Sequence, residues 1–301
     1  MERGLKVKVD LVMWTKNGER TLNPVLNRIN QIIPTEFVNQ RLIVDDKSVD
    51  NTVKIAKSNG WEVYSNIGTG ISAGANTALK HVETPFFCSF EQDLLLAPNW
   101  WNRISKNIEG KDVAAAEGIR LVNKPSGLRA LELYGITKYR KILNNPKGYN
   151  YKKFLEASSY GPTLDNTMYK TQILHEMGGF PILPNFGAGT DSLLSKKIRD
   201  NNFKWLIDYN VVSTHLRKSL RDEINHRLWC GKTFPIINQT FYSQKITLAS
   251  LLLRLAFSPL RALEIVLKMK NPSITYIYPI MRLASFKGVS NGYKENIYLQ
   301  R

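Results

Sequence analysis

Two carboxylates with one residue between them, Glu91 and Asp93, follow an aromatic, strand-like run in the stretch FFCSFEQDLLLAPNWW, Phe86–Trp101. Carboxylate oxygens are hard donors of the kind that Mg2+ and Mn2+ prefer. Two more polar sets stand in the same relation to apolar runs: Thr15 and Asn17 after VDLVMW, and Asp45 and Asp46 after RLIV. Single residues of these types commonly cap helices or form turns. Three sets at three strand ends point instead to a shared rim, because an open α/β sheet binds its ligands beyond the carboxyl ends of its strands.

The elements that would build such a rim alternate. Val7–Trp14 predicts a first strand, and ERTLNPVLNRINQII predicts a helix, with Leu22, Val25, Leu26, Ile29, Ile32 and Ile33 at helical spacing. NQRLIVDD then reads as a strand, SVDNTVKIAKSNG as a short helix stopped at Gly60, WEVYS as a strand, GISAGANTALKHV as an Ala-rich helix and PFFCSFE as a fourth strand. This order predicts an α/β fold with a mostly parallel central sheet and helices on both faces. Lys124–Tyr160 has weak periodicity and is rich in Tyr, Lys, Asn and Gly, so it reads as an irregular, partly mobile insertion. Regular pattern returns in NTMYKTQILHEMGGF, a strand and a short helix ending at Gly178 and Gly179. GAGTDSLLSKKIRDNNFKWLID follows as a Gly-rich loop, a helix opening at Thr190 or Asp191 with Leu193, Leu194 and Ile198 inward, and another strand; VVSTH closes the unit at His215.

From about Ser243 the character changes. LASLLLRLAFSPLRALEIVLKMK is long enough to suggest a membrane span, yet Arg254, Arg261 and Lys268 recur at every seventh residue with Glu264 on the same side, and Pro259 lies in the middle. A polar stripe of this kind fits an amphipathic helix in a membrane interface better than a span. The alternatives are a helix packed on the protein's own core and a dimer contact through the same apolar face. The basic excess of the tail favours an anionic lipid surface.

Of the 301 residues, 43% are hydrophobic, enough for a large buried core, and the formal charge of +17 calls for an anionic partner. The basic residues are spread along the chain without a helix-turn-helix, zinc-finger or RNA-recognition motif, which argues against a nucleic-acid-binding protein. GTGISAG is one residue too long for a dinucleotide fingerprint and does not follow the first strand, which argues against a nicotinamide oxidoreductase. Only Cys88 and Cys230 occur, in no metal-ligand spacing, so neither a disulfide framework nor a zinc site is expected. MERGLKVKVDLVMW lacks the apolar core of a secretory signal, and the chain is expected in the cytoplasm.

Taken in order, these segments resemble the inverting glycosyltransferases of family 2, over about residues 8–232. VMWTKNGERTL is similar to the family's opening strand, with Thr15 and Asn17 matching and Trp14 in place of a proline. LIVDDKSVDNT resembles its Asp-Asp-Gly-Ser-x-Asp-x-Thr signature, with Lys47 where glycine is usual. NIGTGISAGANTAL is similar to the Gly- and Asn-containing helix start that flanks the nucleotide. FEQD takes the place of the Asp-x-Asp motif, Glu91 replacing the first aspartate and Asp93 keeping the last. YKTQILHEMGGF resembles the segment ending in Gly-Gly-Phe, and GTDSLLSKKIRDNNF the Glu-Asp helix, with Thr190 for the glutamate and Asp191 at the catalytic aspartate. His215, and HRLWCG with Arg227 and Trp229, match later features more loosely.

The resemblance implies a GT-A-like nucleotide-diphospho-sugar transferase fold in residues 1–232, with a nucleotide-binding half (1–120) and an acceptor half (121–232), and a basic amphipathic helical tail (233–301). It implies that Thr15, Asn17, Asp45, Asp46, Gly70, Gly74, Asn76, Glu91 and Gln92 surround the nucleotide. Asp93, with Glu91 nearby, would hold Mn2+ or Mg2+; His215 is a candidate to complete the shell, a structural histidine being the alternative. Asp191 would be the general base, a plain helix cap being the alternative. Thr190 in place of glutamate removes a charge beside it, with a lowered base pKa or an altered acceptor choice expected. Trp100, Trp101, Thr190, Arg227 and Trp229 are candidates for the acceptor, although the tryptophan pair would equally pack on the adjacent helix. The implied partners are a nucleotide-sugar donor and a glycan or lipid-linked acceptor, met at the cytoplasmic face of a membrane.

Overall fold

The structure is a computed structural model that describes residues 7–123, 126–143, 162–182, 188–216, 219–242 and 247–294. The chain folds as two compact units, Met1–Arg120 with Gly161–Leu216, and Leu121–Tyr160 with Arg217–Arg301.

The first unit is built on a sheet in which β1 (Val9–Thr15), β2 (Val38–Asp45), β3 (Glu62–Ser65) and β4 (Phe86–Phe90) lie in the order β3-β2-β1-β4. All three of these pairings are parallel, as the alternation of strands and helices requires. Thr15 stands opposite Asp45 and Asp45 opposite Ser65, so these strands end in one row. Apolar layers cover both faces. Leu22, Val25, Leu26 and Ile29 of α1 (Glu19–Ile32) pack with Leu11 and Met13 on one side, and Ala75, Ala78 and Leu79 of α3 (Gly70–Lys80) pack with Val12 and Val44 on the other. Between these helices in sequence lies the short α2 (Thr52–Ser58).

Beyond β4 the direction reverses. The sheet continues through β7 (Asn166–Lys170), β6 (Val113–Val122), β8 (Lys204–His215) and the two-residue β5 (Leu94–Leu95), with β7 antiparallel to both β4 and β6. The short α6 (Thr171–Glu176) ends at Gly178 and Gly179, both with positive φ, as the Gly-Gly pair predicts. β8 is one uninterrupted strand where the sequence reads as two pieces. The helix α4 (Trp100–Asn107) holds it in place. Arg103 pairs with Asp208 through Nε at 2.7 Å and Nη2 at 3.2 Å, and Asn107 Nδ2 donates to the same carboxylate at 3.0 Å. Ala97 N–H donates to Ser213 Oγ at 3.2 Å.

The second unit is helical. Part of the expected irregular insertion is α5 (Ser126–Leu143), in which Leu128 and Ala130 are buried against residues of α10 (Ser258–Met269) and α11 (Ile274–Lys294); the insertion from residue 144 to 160 lies outside the described residues. Weak periodicity hid this helix because its apolar residues, Leu128, Ala130, Leu131, Leu133, Tyr134 and Ile136, are spread around it instead of forming one stripe. The expected boundary at 232 falls inside α8 (Leu220–Tyr242), and the expected acceptor half is divided between the units. The tail holds α9 (Leu248–Ala256), α10 (Ser258–Met269) and α11 (Ile274–Lys294). Pro259 breaks the expected single amphipathic helix, standing in the first turn of α10 where its missing N–H is harmless. No helix among the described residues is long and apolar enough to cross a membrane.

α8 and α11 cross at two glycines. A Cβ on Gly231 would lie 2.9 Å from Gly288 Cα, a backbone atom that cannot swing aside. Gly231→Val should therefore lower stability by about 1–3 kcal/mol through forced separation of the helices. Urea unfolding followed by helical circular dichroism reads this as a lower midpoint, and an unchanged midpoint would show that the crossing tolerates a side chain.

Candidate metal centre and active-site rim

Glu91, Asp93 and His215 come together. One ligand atom of each lies within 4.8 Å of the others, and His215 Nε2 is 3.0 Å from Asp93 Oδ2. Sequence spacing could not show this, since Asp93 and His215 are 122 residues apart. The sheet supplies the juxtaposition: Leu94 pairs with His215 and Leu95 with Thr214, while Leu216 N–H donates to Asp93 C=O at 2.8 Å. His215 is buried and the two carboxylates are partly exposed, so the cluster has a protein side and an open side. Two carboxylates and an imidazole are a donor set suited to Mn2+ or Mg2+.

The acidic segment is clamped to the end of β1 by Gln92. Its Oε1 accepts from Thr15 Oγ1 and from Lys16 N–H (3.1 Å), and its Nε2 donates to Lys16 C=O at 3.1 Å. Thr15 and Gln92 thus position the rim through each other. Asn17, at φ 50°, links two loops: its N–H donates to Ser48 Oγ at 2.8 Å and its Oδ1 accepts from Val49 N–H at 3.0 Å. Lys47, where the family signature has glycine, adopts φ 60°, so the glycine conformation persists without the glycine.

The two aspartates at the end of β2, Asp45 as its last residue and Asp46 just beyond, have different environments. Asp46 is bonded by Asn66 Nδ2 (3.1 Å), Gly70 N–H (3.2 Å) and Lys16 Nζ (3.4 Å). Asp45 receives Ser48 N–H on Oδ2 at 2.9 Å, and its buried Oδ1 has no hydrogen-bond partner among the described residues. An orphaned buried acceptor at a strand end is an unusual expense, and it marks where a donor from a ligand would be welcome.

Several expected ligand-facing residues hold the fold instead. A Cβ on Gly74 would lie 2.9 Å from Trp14 Cβ, so this glycine lets α3 approach β1. Asn76 uses both ends of its amide on Phe180, donating to its C=O at 2.8 Å and accepting its N–H at 2.9 Å. Trp100 is fully buried, with Nε1 donating to Asn166 C=O at 3.1 Å, and Trp101 is buried against Phe37 at 5.4 Å between ring centroids. Neither ring is available to stack on an acceptor sugar. Thr190 is buried too, its hydroxyl 2.6 Å from that of Ser72. Arg227 and Trp229 belong to the second unit, on α8, where Arg227 pairs with Glu223 at 2.9 Å and Trp229 is exposed beside His226.

The Ser72–Thr190 contact ties the start of α7 (Thr190–Asp200) to the start of α3. Gly189 is the helix cap, in the left-handed region at φ 98° that favours glycine, and Asp191 lies inside the first turn. A plain capping role for Asp191 is thereby replaced by a partly buried carboxylate accepting Ser192 N–H at 2.7 Å. Burial raises its pKa, opposed by that N–H and by Arg120. The expected downward shift from the missing glutamate is not the net direction.

Sequence reasoning missed Glu117 on β6, although a lone carboxylate in the apolar run VAAAEGIRLV was a signal. Its Oε2 accepts from Thr163 N–H (2.8 Å), Thr163 Oγ1 (3.2 Å) and Thr167 Oγ1 (3.2 Å), and its Oε1 is buried without a partner among the described residues. Arg120, ion-paired to the fully buried Asp165, contributes positive charge to both Glu117 and Asp191.

With this geometry in hand, comparisons with known proteins are specific. The profile described as glycosyl transferase family 2 matches residues 10–178, and the chain belongs to that family. A mannosyltransferase from Pyrobaculum calidifontis, solved with GDP-mannose and Mn2+, is similar at TM-score 0.58 and 17% identity, over 98% of this chain and 81% of that one. Glucosyl-3-phosphoglycerate synthase from Mycobacterium tuberculosis is similar in a complex with Mn2+, UDP and glucosyl-3-phosphoglycerate (TM-score 0.55, 15% identity, 78% of this chain and 80% of that one). The same synthase with Mg2+ and UDP gives TM-score 0.57 at 14% identity, again over 78% and 80%. At these identities the likeness is one of fold, and the fold is GT-A. No curated protein sequence matches the chain.

Burial pushes the Glu117 carboxyl up to about 8 from an ordinary 4.5. Below pH 4.5 both folded and unfolded chains hold this proton; between there and about 8 only the folded chain does, so stability falls as pH rises and levels off above. Glu117→Gln, which mimics the protonated acid, should lose less of its melting temperature than the parent between pH 5 and pH 9. Parallel pH dependence of the two proteins would remove Glu117 as the source.

Proposed function

We propose that the chain transfers a sugar from a nucleotide-diphosphate donor to a hydroxyl of a glycan or lipid-linked acceptor, with inversion at the anomeric carbon, at the cytoplasmic face of a membrane. The observation that carries this reading is the Glu91–Asp93–His215 cluster at the strand ends of a family 2 glycosyltransferase. Those three side chains would hold the divalent cation, which supplies positive charge against the departing diphosphate. The unpartnered Oδ1 of Asp45 supports its accepting the N–H of a nucleobase, while Asp46, bonded three times within the protein, would hold the loop.

Asp191 is the general base. As the acceptor oxygen forms its bond to the anomeric carbon, the bond from that carbon to the diphosphate breaks on the opposite face, and the acceptor's proton passes to the Asp191 carboxylate. One displacement inverts the centre. Partial burial makes this carboxylate a stronger base than a solvated aspartate, and the Arg120 charge and Ser192 N–H act in the opposite direction.

Two measurements test the reading. Thermal stability with UDP, GDP, dTDP and their sugar conjugates should rise for one nucleotide only when Mn2+ is present, and Asp93→Ala should abolish the metal-dependent part of the rise. A rise for no nucleotide would overturn the donor assignment. Asp191→Asn should reduce transfer by about a thousandfold or more while the Mn2+-dependent stabilisation persists, and the acid limb of the parent's pH–rate profile should lie above the ordinary aspartate range. Binding without turnover in the parent, across all donors and acceptors tried, would leave a nucleotide-sugar-binding protein.

A further inference from the structure

The tail leaves an apolar surface uncovered. On α10, Ala262 and Ile265 face the interior of the second unit, while Leu260, Leu263 and Leu267 are 52–80% exposed at a spacing that puts them on one stripe. Leu252, Leu253 and Phe257 of α9 and its end are 50–61% exposed. Six large apolar side chains on two consecutive helices are far more than scattered surface residues, and a monomer in water gains nothing by displaying them.

The charges around this surface choose its partner. Residues 247–294 carry seven basic side chains (Arg254, Arg261, Lys268, Lys270, Arg282, Lys287, Lys294) and a single acid, Glu264. That acid is neutralised within the unit by ion pairs to Arg261 and Lys268. Arg261 also donates to Tyr134 OH on α5 at 2.9 Å, and Lys268 lies 5.8 Å over the Tyr134 ring, so this part of the heptad stripe faces the unit's own interior side. Arg254 on α9 and Lys270 at the end of α10 remain exposed, as do Lys287 and Lys294 on α11. A second copy would bring the same basic residues against themselves, because a two-fold interface is self-complementary in position and not in charge. An anionic bilayer complements both features at once, its acyl boundary receiving the leucines and its headgroups the cations.

We infer that α9 and α10 form an in-plane docking surface for an anionic lipid membrane, with Leu253, Phe257, Leu260 and Leu267 entering the acyl boundary. This deepens the membrane clause of the proposed function and does not depend on the transfer chemistry. Pro259 gives the surface two short helices with a joint between them, and neither segment crosses the bilayer.

The full chain should float with vesicles of 70% phosphatidylcholine and 30% phosphatidylglycerol and not with pure phosphatidylcholine vesicles, and the binding should weaken as salt is raised from about 50 to 500 mM. The double variant Leu260→Glu with Leu267→Glu should bind roughly tenfold less or weaker. Its Mn2+-dependent nucleotide stabilisation should match the parent's, which shows that the variant is folded and that loss of vesicle binding is not loss of the active site. Equal binding to neutral vesicles, or binding unchanged by the double variant, would overturn the inference. So would a salt-stable dimer in lipid-free ultracentrifugation that the double variant dissociates. If vesicle binding holds while no nucleotide stabilises the protein, the transfer reading fails and the docking surface stands.

Discussion

The candidate centre depends on a backbone ladder only two residues long. Pairing of Leu94–Leu95 with the last residues of β8 makes neighbours of Asp93 and His215. Without it the acidic pair would be two carboxylates at a loop, repelling each other and fully solvated. With it, a buried imidazole stands against one of the acids and leaves their outer side open. Like charges at such spacing destabilise each other unless a proton or a cation lies among them. A divalent cation held among these three side chains would be neutralised by the two carboxylates, and a ligand that binds only the folded state would stabilise the fold that created the site.

Much of the first unit keeps that ladder in register. The carboxylate of Asp208, midway along β8, is gripped by Arg103 and Asn107 of α4, and the indole N–H of Trp100 on the same helix anchors to β7. On the other side of the acidic segment, Gln92 binds both backbone polar groups of Lys16. Slipping the strand by one residue would break several of these hydrogen bonds together. A metal or diphosphate needs donors fixed to within about half an ångström, which loops alone do not provide.

The sequence made the parallel half of the sheet legible because each of its strands is a short apolar run followed by an amphipathic helix with its own stop signal. The antiparallel half was less legible. β6 and the full length of β8 pair across long separations, and nothing local distinguishes VAAAEGIRLV from a buried helix segment. Among site residues, carboxylates at strand ends could be placed on the rim by topology alone. Whether a polar side chain faces a ligand or another part of the protein could not be read: Asn76 looks like a nucleotide contact by motif and turns out to bracket Phe180. The tryptophan pair stayed open between acceptor stacking and packing for a related reason, since an aromatic residue has the same letter in a core and in a sugar subsite; the structure buries both. His215 was a candidate through the family resemblance, but its contact with Asp93 comes from a β pairing that has no sequence signature.

Thr190 shows how a departure from a motif can be compensated by its surroundings. The position is 1% exposed, and a glutamate there would need its own partners in a space now filled by the Ser72 hydroxyl contact. Threonine satisfies its single polar atom with a neutral neighbour, leaving Asp191 as the only acid in the first turn of its helix. The pKa of Asp191 is then set by burial pushing it up and by Ser192 N–H and Arg120 holding it down. Arg120 is itself fixed by the buried Asp165, so the balance rests on packed side chains and not on a mobile neighbouring carboxylate. On the proposed role of Asp191 as the base, no second acid is needed beside it, and the loss of the motif's glutamate is compatible with that proposal.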